Sequence, residues 1–453
     1  MEQPRLCLYT QTPLVRFEPT VRTDDGRRAL DEWEQDVEYR RSPGGVTRMV
    51  EPMLKRLVAK RRVGPATWMS LAFHGPERVQ LVPGLELKHV RMPLPEAVAY
   101  ADAKQSYWNA IHGLMPEGGL DMRAVDRGLD RLSHWLTLKT FRRPEWPFDI
   151  SYVHDFQLLP LARYLPRGLP RVFRWHVPVP SSADALDYAV RCLSDYHAVV
   201  VSTERYKRAF VDAGLEVPIH AMYPYLDDLR PSVVTAPEIT RFERAHGIKK
   251  KDTVFLLVAR IDPMKGHDVA VRAFAHLARS LDDVKLVCVG GGGFSAGRGG
   301  LGMTHAASWR AQLTDLAREL GVADRVVFTG GIPDHDLDVA YTRADVVVLP
   351  SVVEGFGLVA VEGWKFGKPV VASDGAGVSE LVDSGRNGYT FPTGDAAALA
   401  ECLLRASVSR EHAAKLGQAG RRTGEACNLK PAVERVWRIL ESAMEGRRIR
   451  RPN

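Results

Sequence analysis

Six short apolar runs recur through the second half of this chain, at residues 254–258, 285–289, 326–329, 346–349, 370–372 and 389–391, and helical segments lie between most of them. That alternation constrains the fold more than any other feature. Runs of three to five such residues are too short for helices and too apolar for a wet face, so each reads as a strand buried on both sides. Strands of this kind separated by helices build a parallel sheet covered by helices. The first half repeats the theme with strand candidates at 6–9, 150–154, 171–175 and 198–202. A glycine turn at 43–46 opens a helix through residues 48–60, where Val50, Met53, Leu54 and Leu57 recur near helical period.

Between the two series the pattern breaks. Tyr223, Pro224 and Pro231 bracket a polar stretch, and a polar helix follows that ends near Gly247 and Lys251. Prolines and charge at that place mark a boundary, and 453 residues are more than one core usually holds. The reading is one α/β domain over residues 1–227 and a second over 228–430. A last amphipathic helix over 431–453 carries Val433, Val436, Trp437, Ile439 and Leu440 and ends in a basic tail with Arg447 and Arg451.

Composition narrows the setting. Hydrophobic residues make up 45% of the chain, yet no apolar run approaches the roughly 18 residues of a membrane span. The N-terminus reads as a first core strand and lacks the apolar stretch of a signal peptide. Five cysteines are few, odd in number and without metal-ligand spacing. They are expected as free buried thiols in a reducing cytoplasm. A net charge of +7 fits a solvated basic surface, an anionic substrate or acidic lipid heads. Nucleic acid is not expected, because no aromatic-interleaved basic motif accompanies the charge.

Two segments of the second half carry chemistry. Glu354 and Glu362 flank the turn Gly355, Phe356, Gly357, with Leu358 opening the next helix. Peptide N–H groups at such a turn suit an anion, and carboxylates accept from sugar hydroxyls. Upstream, Arg260 and Lys265 lie on the turn after the first strand of that domain. Two fixed cations there suit a phosphate. Arg grips phosphate bidentately and Lys acts as a point charge. A glycine-rich run at 289–302 follows the next strand. It is too long for a tight phosphate turn, and reads as a mobile loop or as a lid reaching phosphate through Ser295 or Arg298.

The spacing of Glu354 and Glu362 resembles the Glu-x7-Glu signature of retaining glycosyltransferases of family 4 type, and Arg260 with Lys265 and Gly266 resembles their Arg-x4-Lys-Gly motif. The resemblance implies the GT-B fold: α/β, two facing Rossmann-like domains, with a C-terminal helix crossing back to the first. It implies a nucleoside-diphosphate sugar as co-substrate, with no other cofactor and no metal. By the same resemblance, Glu354 accepts from donor-sugar hydroxyls and Gly355, Phe356, Gly357 and Leu358 offer amides to sugar and pyrophosphate. Glu362 holds the ribose, Ile332 lies near the base, and Gly44 and Gly45 let backbone approach the phosphates.

In the first half, His154 and Asp155 end one strand and His176 ends the next. Open α/β sheets bind ligands at such carboxyl ends. These segments, with the aromatic stretch from Tyr100 to Trp108, resemble trehalose synthases and trehalose-phosphate synthases. The resemblance implies that His154, Asp155, Trp108 and Tyr100 read a small sugar acceptor and that His176 lies against the donor sugar. It implies a hexose, glucose, as the group moved. The Arg that trehalose-phosphate synthases carry after the first strand is absent here, where Tyr9 to Pro13 stand. That points to a free sugar or polyol, unless Arg16, Arg22, Arg27, Arg28, Arg40 or Arg41 substitutes. The competing readings are a lipid or polysaccharide acceptor, and a pseudo-glycosyltransferase joining a nucleotide-activated cyclitol. A homodimer is compatible with all of them.

Overall fold

The computed structural model describes residues 3–21, 28–42, 44–114, 119–141, 147–292 and 301–449. Chain contacts divide it into two units, residues 1–227 with 429–453, and residues 228–428.

The first unit is built on an eight-stranded sheet. Its strands are β1 (Leu6–Tyr9), β4 (Ala66–Leu71), β5 (Arg78–Val82), β6 (Leu85–Val90), β7 (Ile150–His154), β8 (Arg171–Arg174), β9 (Ala198–Val201) and β10 (Ile219–Ala221), in the order β10-β9-β8-β7-β1-β4-β6-β5. All neighbours are parallel except β5 and β6. β2 (Val15–Phe17) and β3 (Tyr39–Arg41) form a separate antiparallel pair. Every residue of β1, β7 and β9 is buried, as runs such as Ala-Val-Val-Val predict for strands covered on both faces. One apolar layer packs the Leu94–Ile111 and Met122–Phe141 helices on one face. The other layer packs the Gly45–Ala59 helix and the closing helix Leu429–Ile449. The closing helix starts two residues before Pro431, a place in the first turn where the missing N–H of proline costs nothing.

The second unit carries six parallel strands, β11 (Thr253–Val258), β12 (Val284–Val289), β13 (Val326–Gly330), β14 (Val346–Leu349), β15 (Val370–Ser373) and β16 (Gly388–Phe391). Their order is β13-β12-β11-β14-β15-β16. From β11 the chain first builds outward through β12 and β13, then returns to the other side of β11 with β14. The strand order therefore reverses between β11 and β14, the kind of place at whose carboxyl ends open α/β sheets bind ligands. In the first unit the order reverses in the same way around β1, with β4 on one side and β7 on the other. These two places hold the residues of interest.

All five cysteines are free and buried. No helix among the described residues is long and apolar enough to cross a membrane. No group of three or more His, Cys, Asp or Glu among them is placed to hold a metal ion.

Candidate functional site

In the second unit, backbone geometry forces the two motifs together. Past β11, Ala259 N–H donates to the Val289 carbonyl at 3.0 Å and Ile261 N–H to the Gly291 carbonyl at 2.9 Å. A Cβ on Gly290 would stand 1.8 Å from the Ala259 carbonyl oxygen, so only glycine lets β12 end there. The chain then makes a single 3-10 turn, Pro263–Lys265, capped by the Asp262 carboxylate accepting from Met264 N–H at 2.9 Å. Asp262 also lies 3.9 Å from the Arg260 guanidinium. Gly266 takes φ +66°, and a Cβ there would meet the Pro350 carbonyl oxygen at 2.0 Å. That close approach sets the Lys265 turn against the end of β14, where Val352 N–H donates to the Met264 carbonyl at 2.9 Å.

The consequence is a direct contact between motifs 89 residues apart: Lys265 Nζ donates to a Glu354 carboxylate oxygen, both side chains mostly buried. A second loop braces Glu354 from behind. Gly377 N–H donates to the Glu354 carbonyl at 3.1 Å and Val378 N–H to the Phe356 carbonyl at 2.7 Å. Cβ atoms on Gly375 and Gly377 would stand 2.3 Å from the Val352 oxygen and 2.5 Å from the Gly355 oxygen. Asp374 and Thr393 fasten that loop, with the Thr393 hydroxyl donating to Asp374 at 2.6 Å and accepting from Gly375 N–H at 2.9 Å. Gly357, at φ +100°, starts the Leu358–Lys365 helix. Glu362 sits in the second turn of that helix, buried, and accepts from the Tyr341 hydroxyl at 2.7 Å. Ile332 follows β13, half-buried, two residues before the Asp334–Arg343 helix.

Lys265, Glu354, Gly355, Phe356, Gly357, Leu358 and Glu362 therefore share one end of the β11–β14 switch point, with Arg260 on the same turn as Lys265. Gly44 and Gly45 stand apart from them in the chain's division into units. They belong to the first unit, where Gly44, at φ +141°, caps the helix that Gly45 begins. Ser295 and Arg298 fall outside the described residues, as do Arg22 and Arg27. Tyr341, Asp262, Gly375 and Gly377 escaped the reading from sequence. The two glycines could have been flagged by their spacing after β15, whereas nothing near Tyr341 marks it.

In the first unit, β7 and β8 run parallel with His154 opposite Arg174, so His154 and, two residues on, His176 emerge side by side. Their rings stack at 5.1 Å, and His154 Nδ1 lies 2.9 Å from His176 Nε2, a single hydrogen bond between the imidazoles. Burial pushes both well below the usual histidine range, and the Arg174 charge adds to it, so the pair is neutral. His154 Nε2 has no partner among the described residues. Asp155 adopts φ +78°, a strained conformation for a residue with a Cβ. Burial raises its carboxyl from 3.8 to about 7.

Tyr100 and Trp108 lie two turns apart on the Leu94–Ile111 helix. The Tyr100 hydroxyl is buried without a partner among the described residues, and burial together with the nearby Asp155 charge raises it well above its ordinary value. Trp108 stacks on His112, with centroids 3.9 Å apart, and lies 5.9 Å from Phe156, the residue after Asp155. Midway between them, Lys104 is lowered first by burial and then by the Arg16 charge. Lys104 also escaped the reading from sequence, although its i, i+4 spacing from both Tyr100 and Trp108 was there to see. Of the other arginines, Arg40 pairs with Glu18 at 3.2 Å, Arg41 with Glu51 at 2.5 Å, and Arg28 covers the Trp33 ring.

Residues 238–423 match the family model described as Glycosyl transferases group 1. The chain is 34% identical over 328 residues to the D-inositol 3-phosphate glycosyltransferase of Saccharomonospora viridis, covering 68% of this chain and 73% of that one. It is 29% identical over 291 residues to the GDP-mannose-dependent alpha-(1-6)-phosphatidylinositol monomannoside mannosyltransferase of Mycobacterium tuberculosis, covering 60% of this chain and 71% of that one. Among solved structures, the alpha,alpha-trehalose 6-phosphate synthase of Burkholderia multivorans superposes with a TM-score of 0.74 at 16% identity, covering 100% of this chain and 99% of that one. At that identity the likeness speaks to the fold alone, and it bears out the GT-B fold expected from the sequence.

Proposed function

Because the chain belongs to the group 1 glycosyltransferases, nucleotide-sugar-dependent enzymes, we propose that it moves a hexose, with retention, from a nucleoside-diphosphate sugar onto a hydroxyl of a polyhydroxylated ring that carries an anionic group. The observation that carries the donor half is the Lys265–Glu354 contact. It sets a cation for the leaving diphosphate beside a carboxylate for the sugar hydroxyls. In this reading Arg260 and Lys265 neutralise charge on the departing phosphate oxygen. Glu354 holds the sugar, Glu362 the ribose, and the Gly355–Leu358 amides the pyrophosphate. The leaving phosphate takes the acceptor proton on the same face of the ring, so no covalent nucleophile is needed.

In this reading the acceptor is read by Asp155, His154, Tyr100 and Trp108, and His176 is assigned to the donor sugar. Neutral imidazoles and a carboxyl that ionises near pH 7 suit hydroxyl recognition, because each can accept or donate without a fixed charge. Two relatives act, by their names, on inositol-containing acceptors. They favour a cyclitol or lipid-linked ring over the free sugar that the missing Arg after β1 suggested. Support for an anionic group comes from those two names, a ring phosphate and a phosphatidylinositol, and Lys104, between Tyr100 and Trp108 on their helix, is the cation we assign to it.

The test is direct. The protein is incubated with GDP-, UDP- and ADP-hexoses against inositol, inositol phosphates, free hexoses and hexose phosphates, and products are identified by mass. A hexosyl product on a phosphorylated ring supports the proposal. Products on neutral free hexoses alone overturn its acceptor half, and no hexosyl product from any donor overturns it altogether.

A further inference from the structure

The geometry points to Tyr341 as a positioning residue for nucleotide recognition, acting through Glu362. This rests on the reading of Glu362 as the ribose carboxylate. Glu362 occupies the fifth position of the eight-residue Leu358–Lys365 helix. A glutamate has three rotatable bonds, and a short helix alone does not fix where its carboxylate points. The Tyr341 hydroxyl does so, donating to Glu362 Oε2 at 2.7 Å from the neighbouring Asp334–Arg343 helix.

Tyr341 is itself held. Its ring is fully buried and lies flat on Phe366, with centroids 5.4 Å apart and planes 6° from parallel. Phe366 caps the same helix that carries Glu362, one turn further on. The chain of placement is closed: Phe366 fixes the plane of Tyr341, Tyr341 fixes one carboxylate oxygen, and both ends of the relay sit on one helix. A hydrogen bond to an ionised carboxylate is among the stronger neutral-to-charged contacts, and burial sharpens it.

The test measures binding of whichever of GDP, UDP or ADP the wild-type protein holds most tightly, by calorimetry, for Tyr341→Phe, Glu362→Gln and the double variant. Thermal melts accompany each to show folded protein. Tyr341→Phe is expected to raise Kd about 5- to 20-fold, Glu362→Gln by at least as much, and the double variant no more than Glu362→Gln alone. The 2′,3′-dideoxy nucleotide should bind wild type and Tyr341→Phe alike. Wild-type affinity in Tyr341→Phe beside a weakened Glu362→Gln, or penalties that multiply in the double variant, overturns the positioning role while leaving Glu362 as the ribose contact. Wild-type affinity in Glu362→Gln overturns the ribose reading, and the inference with it. If Tyr341→Phe fails to fold, Phe366→Leu removes the stacked ring with the hydroxyl in place. It should weaken the nucleotide several-fold in the same non-additive way, and additivity with Glu362→Gln again overturns the role.

Discussion

The two units solve the same problem with opposite electrostatics. At the carboxyl end of β11 and β14, formal charges meet in pairs: Lys265 with Glu354, Arg260 with Asp262. At the carboxyl end of β7 and β8, burial strips charge away, leaving two neutral histidines and a carboxyl that ionises only near pH 7. The first arrangement suits a ligand that arrives charged and leaves more so. The second suits hydroxyls, which need donors and acceptors and no net field. The difference teaches that one fold, used twice, can present paired charges at one sheet end and uncharged polar groups at another, and on the proposed roles the first would serve phosphate and the second hydroxyls.

The largest effect should come from the charged side. Arg260→Ala or Lys265→Ala should lower turnover at saturating donor on the order of 10²-fold or more with the fold retained. Turnover close to wild type in either variant breaks the comparison at its donor end. Because Lys265 and Glu354 touch, the Lys265→Ala, Glu354→Gln double variant should lose less than the product of the single losses.

Next in size is a stability effect on the neutral side. The Asp155 carboxyl is raised from 3.8 to about 7, so the folded protein keeps a proton that the unfolded chain gives up. The stability this group supplies is fully present below about pH 3.8 and is lost as pH rises through 7. Asp155→Asn carries no such charge and keeps the size and shape of the side chain. It should be stabilised relative to wild type at pH 8, by roughly 1–4 kcal/mol, and show little difference at pH 4. Denaturant titrations at both values check this, and equal effects at the two would show that Asp155 is not held in a desolvated site.

The smallest effect concerns the acceptor anion. Lys104→Met should raise KM about tenfold for a phosphorylated acceptor and leave KM for its neutral counterpart unchanged. Initial-rate assays with a matched pair of acceptors sharpen the comparison, because they ask whether the hydroxyl site has a charged rim.

What the sequence disclosed follows the same division. The second unit was legible strand by strand, because buried parallel strands are unbroken apolar runs and its motifs are contiguous. The first unit was half legible. β4 to β6 lie in stretches broken by Glu86, Lys88 and His89 or by prolines, and β2 with β3 frames an insertion whose pairing no local pattern announces. The site residues that went unread share one cause. Tyr341 bonds to a residue 21 positions away, and the Gly375–Gly377 loop matters for what its missing Cβ atoms allow. Such roles are set by tertiary contact and leave no periodicity behind. Asp262 is the exception. An Asp two residues before Met264 on a turn is a readable cap, and the search for phosphate-binding cations passed over it.

The central claim is that donor activation and acceptor recognition are separate tasks lodged in separate units. The measurement that tests it most directly is the ratio of transfer to donor hydrolysis, followed in one reaction by mass, for Lys265→Ala and Asp155→Asn. The account predicts that Lys265→Ala loses both activities together, while Asp155→Asn loses transfer and keeps slow hydrolysis, since water needs no placement by that carboxylate. Loss of hydrolysis in Asp155→Asn in step with transfer, in a folded protein, would contradict it.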